Sequence, residues 1–286
     1  MVRVLELVAS RIRWLLCAFA LFCGCTPAVA QTAPPPAALT ADQVMARVEA
    51  MNQLRAQRLE GYSSMRTYHL EIHGLFSREA EMVVRADYRA PNSKQFTVIS
   101  ESGSGAVRKR VFRRLLQTEL ESMDPQSQRH TALTAENYRF QLVDHYGTGS
   151  DEFYVLKVEP KNQGKFLIAG QIWVDAADFA VTKVDGQPAV NPSWWTKSTD
   201  FNRIYRHVGE FWLPESNHSV TKVRIFGTAV LTITYRDYRI KPLPAAAPAP
   251  DPPVKTSQIA SPGNPVPTVT APDETLALIL IPRLEG

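Results

Sequence analysis

The sequence predicts an α+β protein that is mainly antiparallel sheet. Two observations carry this. Apolar and polar residues alternate with a period of two along ten separate stretches, whereas only two stretches show the wider spacing of a helix. The connections between the ten are short, and no β-α-β alternation asks for a parallel sheet.

The elements follow in order. Residues 40–59 open with Thr40 as an N-cap and bring Val44, Val48, Met51 and Leu54 round at helical spacing, with Gly61 as the stop. Period two then takes over. Between Tyr62 and His73, the side chains of Tyr68, Leu70 and Ile72 share one face, opposed by Thr67, His69, Glu71 and His73. Residues 78–90 place Met82, Val84, Ala86 and Tyr88 on one side and Arg85 and Asp87 on the other. A strand over 95–101 follows the Pro91-Asn92 turn. Strict alternation of this kind is a sheet with one buried face. A second helix is expected over 107–123, with Val107, Val111, Leu115 and Leu116 on its apolar side. Seven more strands are expected over 138–146, 152–158, 165–175, 179–186, 197–208, 215–226 and 228–240. Asp175-Ala176-Ala177-Asp178 and Gly227 read as hairpin turns.

Both ends differ from this body. Arg3, Arg11 and Arg13 precede a short apolar run, Trp14 to Phe22, and Ala28-Val29-Ala30 offers a cleavage pattern of small residues. Residues 1–30 are expected to be a secretory signal peptide, too short in its apolar part to span a bilayer, and 31–39 a linker. The three cysteines, Cys17, Cys23 and Cys25, all lie in this segment, so the mature chain is expected to have no disulfide framework and no thiolate chemistry. A competing reading makes Cys25 a lipidated residue and the protein an outer-membrane lipoprotein, although Phe22 and Cys23 fit a lipobox poorly. Residues 242–286 are dense in proline and are expected to form a disordered, semi-extended tail. Its apolar end, Leu276 to Ile281, reads either as a frayed strand or as a strand that docks on a sheet edge. The expected folded domain is therefore 40–241.

Composition narrows the function. The net charge of +4 includes +2 from the signal (three arginines less Glu6), which argues against nucleic acid as a partner. No nucleophile-elbow serine, phosphate loop or HExxH arrangement is present, so no catalytic residue, cofactor or metal is assigned, and an enzyme is not expected. His69, Glu71 and His73 line one strand face, where an exposed polar surface explains them better than a metal site lacking a further ligand. Asp175, Asp178 and Asp185 are explained by turn positions. Trp194 and Trp195 form an aromatic pair that either plugs an open end of the sheet or meets a ligand or partner.

The order helix, three strands, helix and long meander resembles the outer-membrane lipoprotein-sorting family (LolA/LolB-like, with the sensor RseB among its relatives). The stretches LTAENY from Leu133, GQIWVD from Gly170 and GEFWLP from Gly209 are similar to exported bacterial members of that group. The resemblance spans about residues 38–241. It implies a large curved half-barrel sheet, with helices covering a concave face that holds the acyl chains of a lipid or lipoprotein in the periplasm. The alternative it leaves open is a periplasmic sensor or protein-interaction module of the same fold. A clear counterpart of the family's lid-holding arginine is not visible.

Each buried CH₂ is worth about 0.8 kcal/mol, so a long acyl chain offers on the order of 10 kcal/mol gross to ordinary apolar side chains. The expected pocket comprises Leu70, Ile72, Met82, Val84, Phe96, Ile168, Ile172, Leu231 and Ile233, residues equally suited to plain core packing. Arg66 joins them because it falls in register with Tyr68, Leu70 and Ile72, an odd place for a charge. It either holds a lid helix, meets a polar head group or snorkels at the sheet's end. Arg108, Lys109, Arg110, Arg113 and Arg114 form the densest basic cluster, a solvated helix face or a contact for a membrane surface or protein partner. A monomer is expected.

Overall fold

The computed structural model describes residues 39–74, 77–164, 166–191, 194, 196–224 and 227–243. The expected signal peptide with Cys25, most of the linker, Trp195 and the tail from residue 244 lie outside the described residues.

Ten antiparallel strands form one sheet: β1 (Leu59–His73), β2 (Arg78–Arg89), β3 (Ser93–Gly103), β4 (Tyr138–Tyr146), β5 (Phe153–Pro160), β6 (Ile168–Asp175), β7 (Val181–Pro188), β8 (Thr196–Val208), β9 (Phe211–Val223) and β10 (Gly227–Pro242). The spatial order is β3-β2-β1-β10-β9-β8-β7-β6-β5-β4. Chain neighbours are sheet neighbours, with one long-range join between β1 and β10 and the β3-to-β4 connection spanning from one edge to the other. Among the described residues β3 and β4 do not pair with each other, so the sheet is an open, curved half-barrel. Helix α1 (Ala41–Arg58) precedes it. Between β3 and β4 the chain forms α2 (Gly105–Val107), a π-helical turn (Arg108–Phe112), α3 (Arg113–Ser122) and α4 (Pro125–Thr131).

Local chemistry sets these bounds. Thr40 and Gln43 form a reciprocal capping box at the start of α1. The α1 stripe that is buried is Val44, Met45 and Val48, whereas Leu54, expected on the same stripe, is 49% exposed. Gly61 is not a helix stop. It lies inside β1, where a Cβ would come within 2.4 Å of the Tyr88 carbonyl oxygen. The unexpected α4 begins at Asp124, whose carboxylate accepts from the backbone N–H groups of Gln126 and Ser127, with Pro125 in the first turn. The β6–β7 turn is fixed by Asp175, whose Oδ1 accepts from the N–H groups of Ala177 and Asp178. Asp185 is not at a turn but within β7, beside Lys183.

The inner face is divided into separate cores. In the first, Val107, Val111, Phe112 and Leu115 of the π turn and flanking helices pack on Tyr68, Leu70, Met82, Val84, Leu231 and Ile233. In the second, the buried stripe of α1 packs on β4–β8 through Tyr138, Leu156, Ile172, Val174 and Phe201. A third joins Leu59, Tyr62, Tyr88, Phe211 and Leu213. Between the first two, β9 turns Asn217, Ser219 and Thr221 inward, all buried. This polar strip keeps the apolar groups on its two sides from merging. It draws on β8 as well, where Thr199 bonds Thr221 across 3.1 Å.

Candidate functional site

A hollow lies where the second and third cores fail to close over one another. Asn52, Arg55 and Ala56 of α1 and Gln128 and Thr131 of α4 face the inner sides of β6–β9 and the ends of β1 and β2. The space totals about 1420 Å³ including its mouth to solvent, of which about 140 Å³ is cavity proper. The smaller volume is comparable to a cavity of about 150 Å³ that takes benzene. The wall is mostly apolar: Leu59, Ile168, Ile172, Val181, Val184, Phe211 and Leu213, with Tyr62, Tyr88 and Tyr138 among them. Burial holds the Tyr88 phenol protonated well above the usual tyrosine range, and its hydroxyl donates to the Pro91 carbonyl at 2.8 Å.

Helix α1 is fastened over this space at the β6–β7 turn. Arg55 donates to the Asp178 carbonyl at 2.7 Å and lies 3.1 Å from its carboxylate. The same carboxylate oxygen, Asp178 Oδ2, accepts from Trp212 Nε1 at 2.7 Å. Arg47 sits over the Phe179 ring at 5.1 Å. A second arginine, Arg203, is 2% exposed, lines the hollow and donates to the Tyr205 hydroxyl at 3.4 Å.

Arg66 occupies a different place. Its guanidinium lies against both oxygens of Glu119 on α3, over the Phe96 and Tyr235 rings. Lys94 of β3 reaches the same carboxylate. Buried in this way, Arg66 does not snorkel. It holds the helix through a carboxylate, and its side chain is 1% exposed. On the outer face, His69 and His73 each approach a separate oxygen of Glu71 at 3.0 Å, and these hydrogen bonds hold the Glu71 carboxyl below its ordinary range.

Of the residues expected to line a pocket, Ile168 and Ile172 are in the cavity wall. Leu70, Ile72, Met82, Val84, Leu231 and Ile233 pack in the first core beneath the helix, with Phe96 partly buried against it, and Arg66 is in the ion cluster. Arg55 and Arg203 were missed. The alternation Phe201, Arg203, Tyr205 carries for Arg203 the same signal that singled out Arg66. In the basic cluster, Lys109, Arg110 and Arg113 are exposed, Arg108 lies 3.6 Å from Glu101 and Arg114 lies 3.1 Å from Glu121. Trp194 is 69% exposed, and its carbonyl accepts from Arg224 Nε at 2.8 Å.

The fold and this hollow define an open half-barrel protein with an internal space of ligand size beneath a helix. Residues 77–239 match the model of a family of unknown function, DUF5686, and the chain belongs to that family. No curated protein matches it. Several solved structures are similar. One is a LolA superfamily protein from Nitrosomonas europaea (11% identity, 72% of this chain and 96% of the other, TM-score 0.31). Another is an outer membrane lipoprotein-sorting protein domain from Vibrio parahaemolyticus (11%, 68% and 92%, 0.31). A third is the MucA/MucB complex of Pseudomonas aeruginosa (11%, 68% and 93%, 0.22).

Proposed function

We propose that this chain is a periplasmic binding protein that shelters the acyl chain of a lipid or lipoprotein in the hollow beneath α1. The observation that carries the reading is the partly enclosed, mostly apolar cavity on the inner side of the sheet. The signal-like N-terminal segment supports the location.

Magnitude defines the mode of binding. A cavity of about 140 Å³ encloses roughly six carbons, worth about 5 kcal/mol gross at ~0.8 kcal/mol per CH₂. Micromolar affinity needs about 8 kcal/mol, and hence roughly ten methylenes. The chain must therefore continue along the open mouth under α1 and α4, or displace them.

The test is a length series of saturated straight-chain alcohols competing with a fluorescent fatty acid on the purified mature protein. Affinity is expected to rise about fourfold per added methylene up to roughly ten carbons. Native mass spectrometry of the same material is expected to show bound lipid. No binding at any length, or no dependence on length, overturns the reading.

A further inference from the structure

The lining of the hollow changes character with depth. Its floor comes from the sheet, where Ile172, Phe211 and Leu213 are buried. The lining residues of α1 and α4, Asn52, Arg55, Gln128 and Thr131 among them, are half-buried, which places them at the mouth. A polar head is costly to bury against an apolar floor, so the hydrocarbon enters first. A chain longer than roughly six carbons outruns the enclosed space, and its head comes to rest against the two helices.

The mouth carries hydrogen-bonding groups and a balanced charge. Asn52 Oδ1 accepts from Arg55 at 3.4 Å, leaving the Nδ2 donors of Asn52 to a ligand. The Thr131 hydroxyl donates to the Ser127 carbonyl at 2.8 Å and can still accept, and Gln128 brings both a donor and an acceptor. Among the described residues that line the hollow, the charged side chains are Arg55 and Arg203. Arg55 is neutralised by the Asp178 carboxylate 3.1 Å away, to which Trp212, itself in the lining, also donates. Arg203 is buried and has partners of its own within the protein, the Tyr205 hydroxyl among them. An anionic head at the mouth would therefore meet a carboxylate beside the arginine, and a cationic head an arginine beside the carboxylate.

We infer that the amphiphile held in the hollow has an uncharged head of hydroxyl, ester or amide groups, and that Asn52, Gln128 and Thr131 set this specificity. This rests on the acyl-chain reading and adds the head group to it. Such a head belongs either to a free acylglycerol or to the acylated end of a polypeptide.

Four twelve-carbon probes test it at neutral pH, below their aggregation limits, by competition with one fluorescent fatty acid: 1-dodecanol, monododecanoylglycerol, the dodecanoyl amide of a neutral dipeptide, and dodecanoate. The intact mature protein is expected to bind the glyceride or the dipeptide amide about tenfold tighter than dodecanol, and dodecanoate no tighter than dodecanol. Which neutral head binds tighter distinguishes a free lipid from an acylated polypeptide. The extra polar groups would by themselves keep these probes in water, so the expected order is the reverse of what burial alone gives. In the double variant Asn52→Leu, Gln128→Leu the preference is expected to fall several-fold. If that variant does not fold, Gln128→Ala, which removes one of the mouth's amides, is read instead, with a fall of about threefold expected. Neutral heads that bind no tighter than dodecanol, dodecanoate as the tightest ligand, or a preference that survives these substitutions overturns the head-group assignment alone. Binding of no probe removes the acyl-chain reading and this inference together.

Discussion

Arg66 on β1 and Glu119 on α3 meet through one guanidinium nitrogen that lies 3.0 and 3.1 Å from the two carboxylate oxygens, with both side chains out of water. Lys94 shares the same carboxylate, so one buried anion serves two buried cations and ties the helix to β1 and β3 at once.

Removal of the shared anion is therefore worse than removal of one cation. Glu119→Gln is expected to cost about 3–5 kcal/mol, because two buried charges lose their counter-ion. Arg66→Met is expected to cost less, since Lys94 still neutralises Glu119. Urea unfolding with constant slope measures both. The opposite ranking would show that Glu119 is not the anchor.

At the other helix, Asp178 fastens α1 through a pair that is part-exposed, 14% for Arg55 and 31% for Asp178. Asp178→Asn is expected to lower stability by no more than about 1 kcal/mol, in keeping with a pair near the surface. If α1 must loosen for an acyl chain to leave, the same change raises the release rate of a fluorescent fatty acid by about fivefold. Stopped-flow release with the wild type as reference would show an unchanged rate if the helix is not a gate.

At Gly61 the backbone of β2 leaves no room for a side chain on β1. Gly61→Ala places a methyl group 2.4 Å from the Tyr88 carbonyl oxygen, and backbone must move. The expected loss is about 1–3 kcal/mol. Gly105→Ala in α2 has Arg108 Nη2 at 3.7 Å as its nearest neighbour and is expected to be neutral or stabilising. Denaturant midpoints of the pair should move in different directions or by very different amounts.

The phenols of Tyr88 and Tyr238 are both held protonated above their ordinary value of 10.0, chiefly by burial. Tyr238 also donates to the Pro214 carbonyl at 2.7 Å. A group whose folded pKa is raised contributes stability that is complete below its unfolded value and is lost as pH rises beyond it. The wild-type unfolding temperature is thus expected to fall as pH climbs above ~10, with ionisation appearing in the near-ultraviolet absorbance only as the protein unfolds. The double variant Tyr88→Phe, Tyr238→Phe should show a shallower fall over the same range.

The sheet was legible because its signal is local. Met82, Val84, Ala86 and Tyr88 alternate whatever packs above them, and all ten stretches form strands. The site was legible only in part because its wall is assembled from elements far apart in the chain. Ile168 and Ile172 were reached by alternation, but the same alternation places Leu70 and Leu231 under a helix, and nothing in their spacing says which core receives them. Gly61 read as punctuation because close approach of β2 is a tertiary fact. The start of α4 was written in Asp124-Pro125, a cap followed by a first-turn proline, but its seven residues, PQSQRHT, carry no apolar stripe.

The join between β1 and β10 sets a condition on how the molecule is made. Leu59 pairs with Pro242, and β1 has β2 on its other side, so the first hairpin has no place in the sheet until the last strand exists. Contacts so distant in sequence are slow to form, because the loop between them must be closed before they repay anything. A nascent chain lacking residues beyond about 227 would hold two partial sheets with raw edges, prone to capture by chaperones or neighbouring chains. The arrival of β10, not the emergence of the first strands, is the event that commits this protein to its native form.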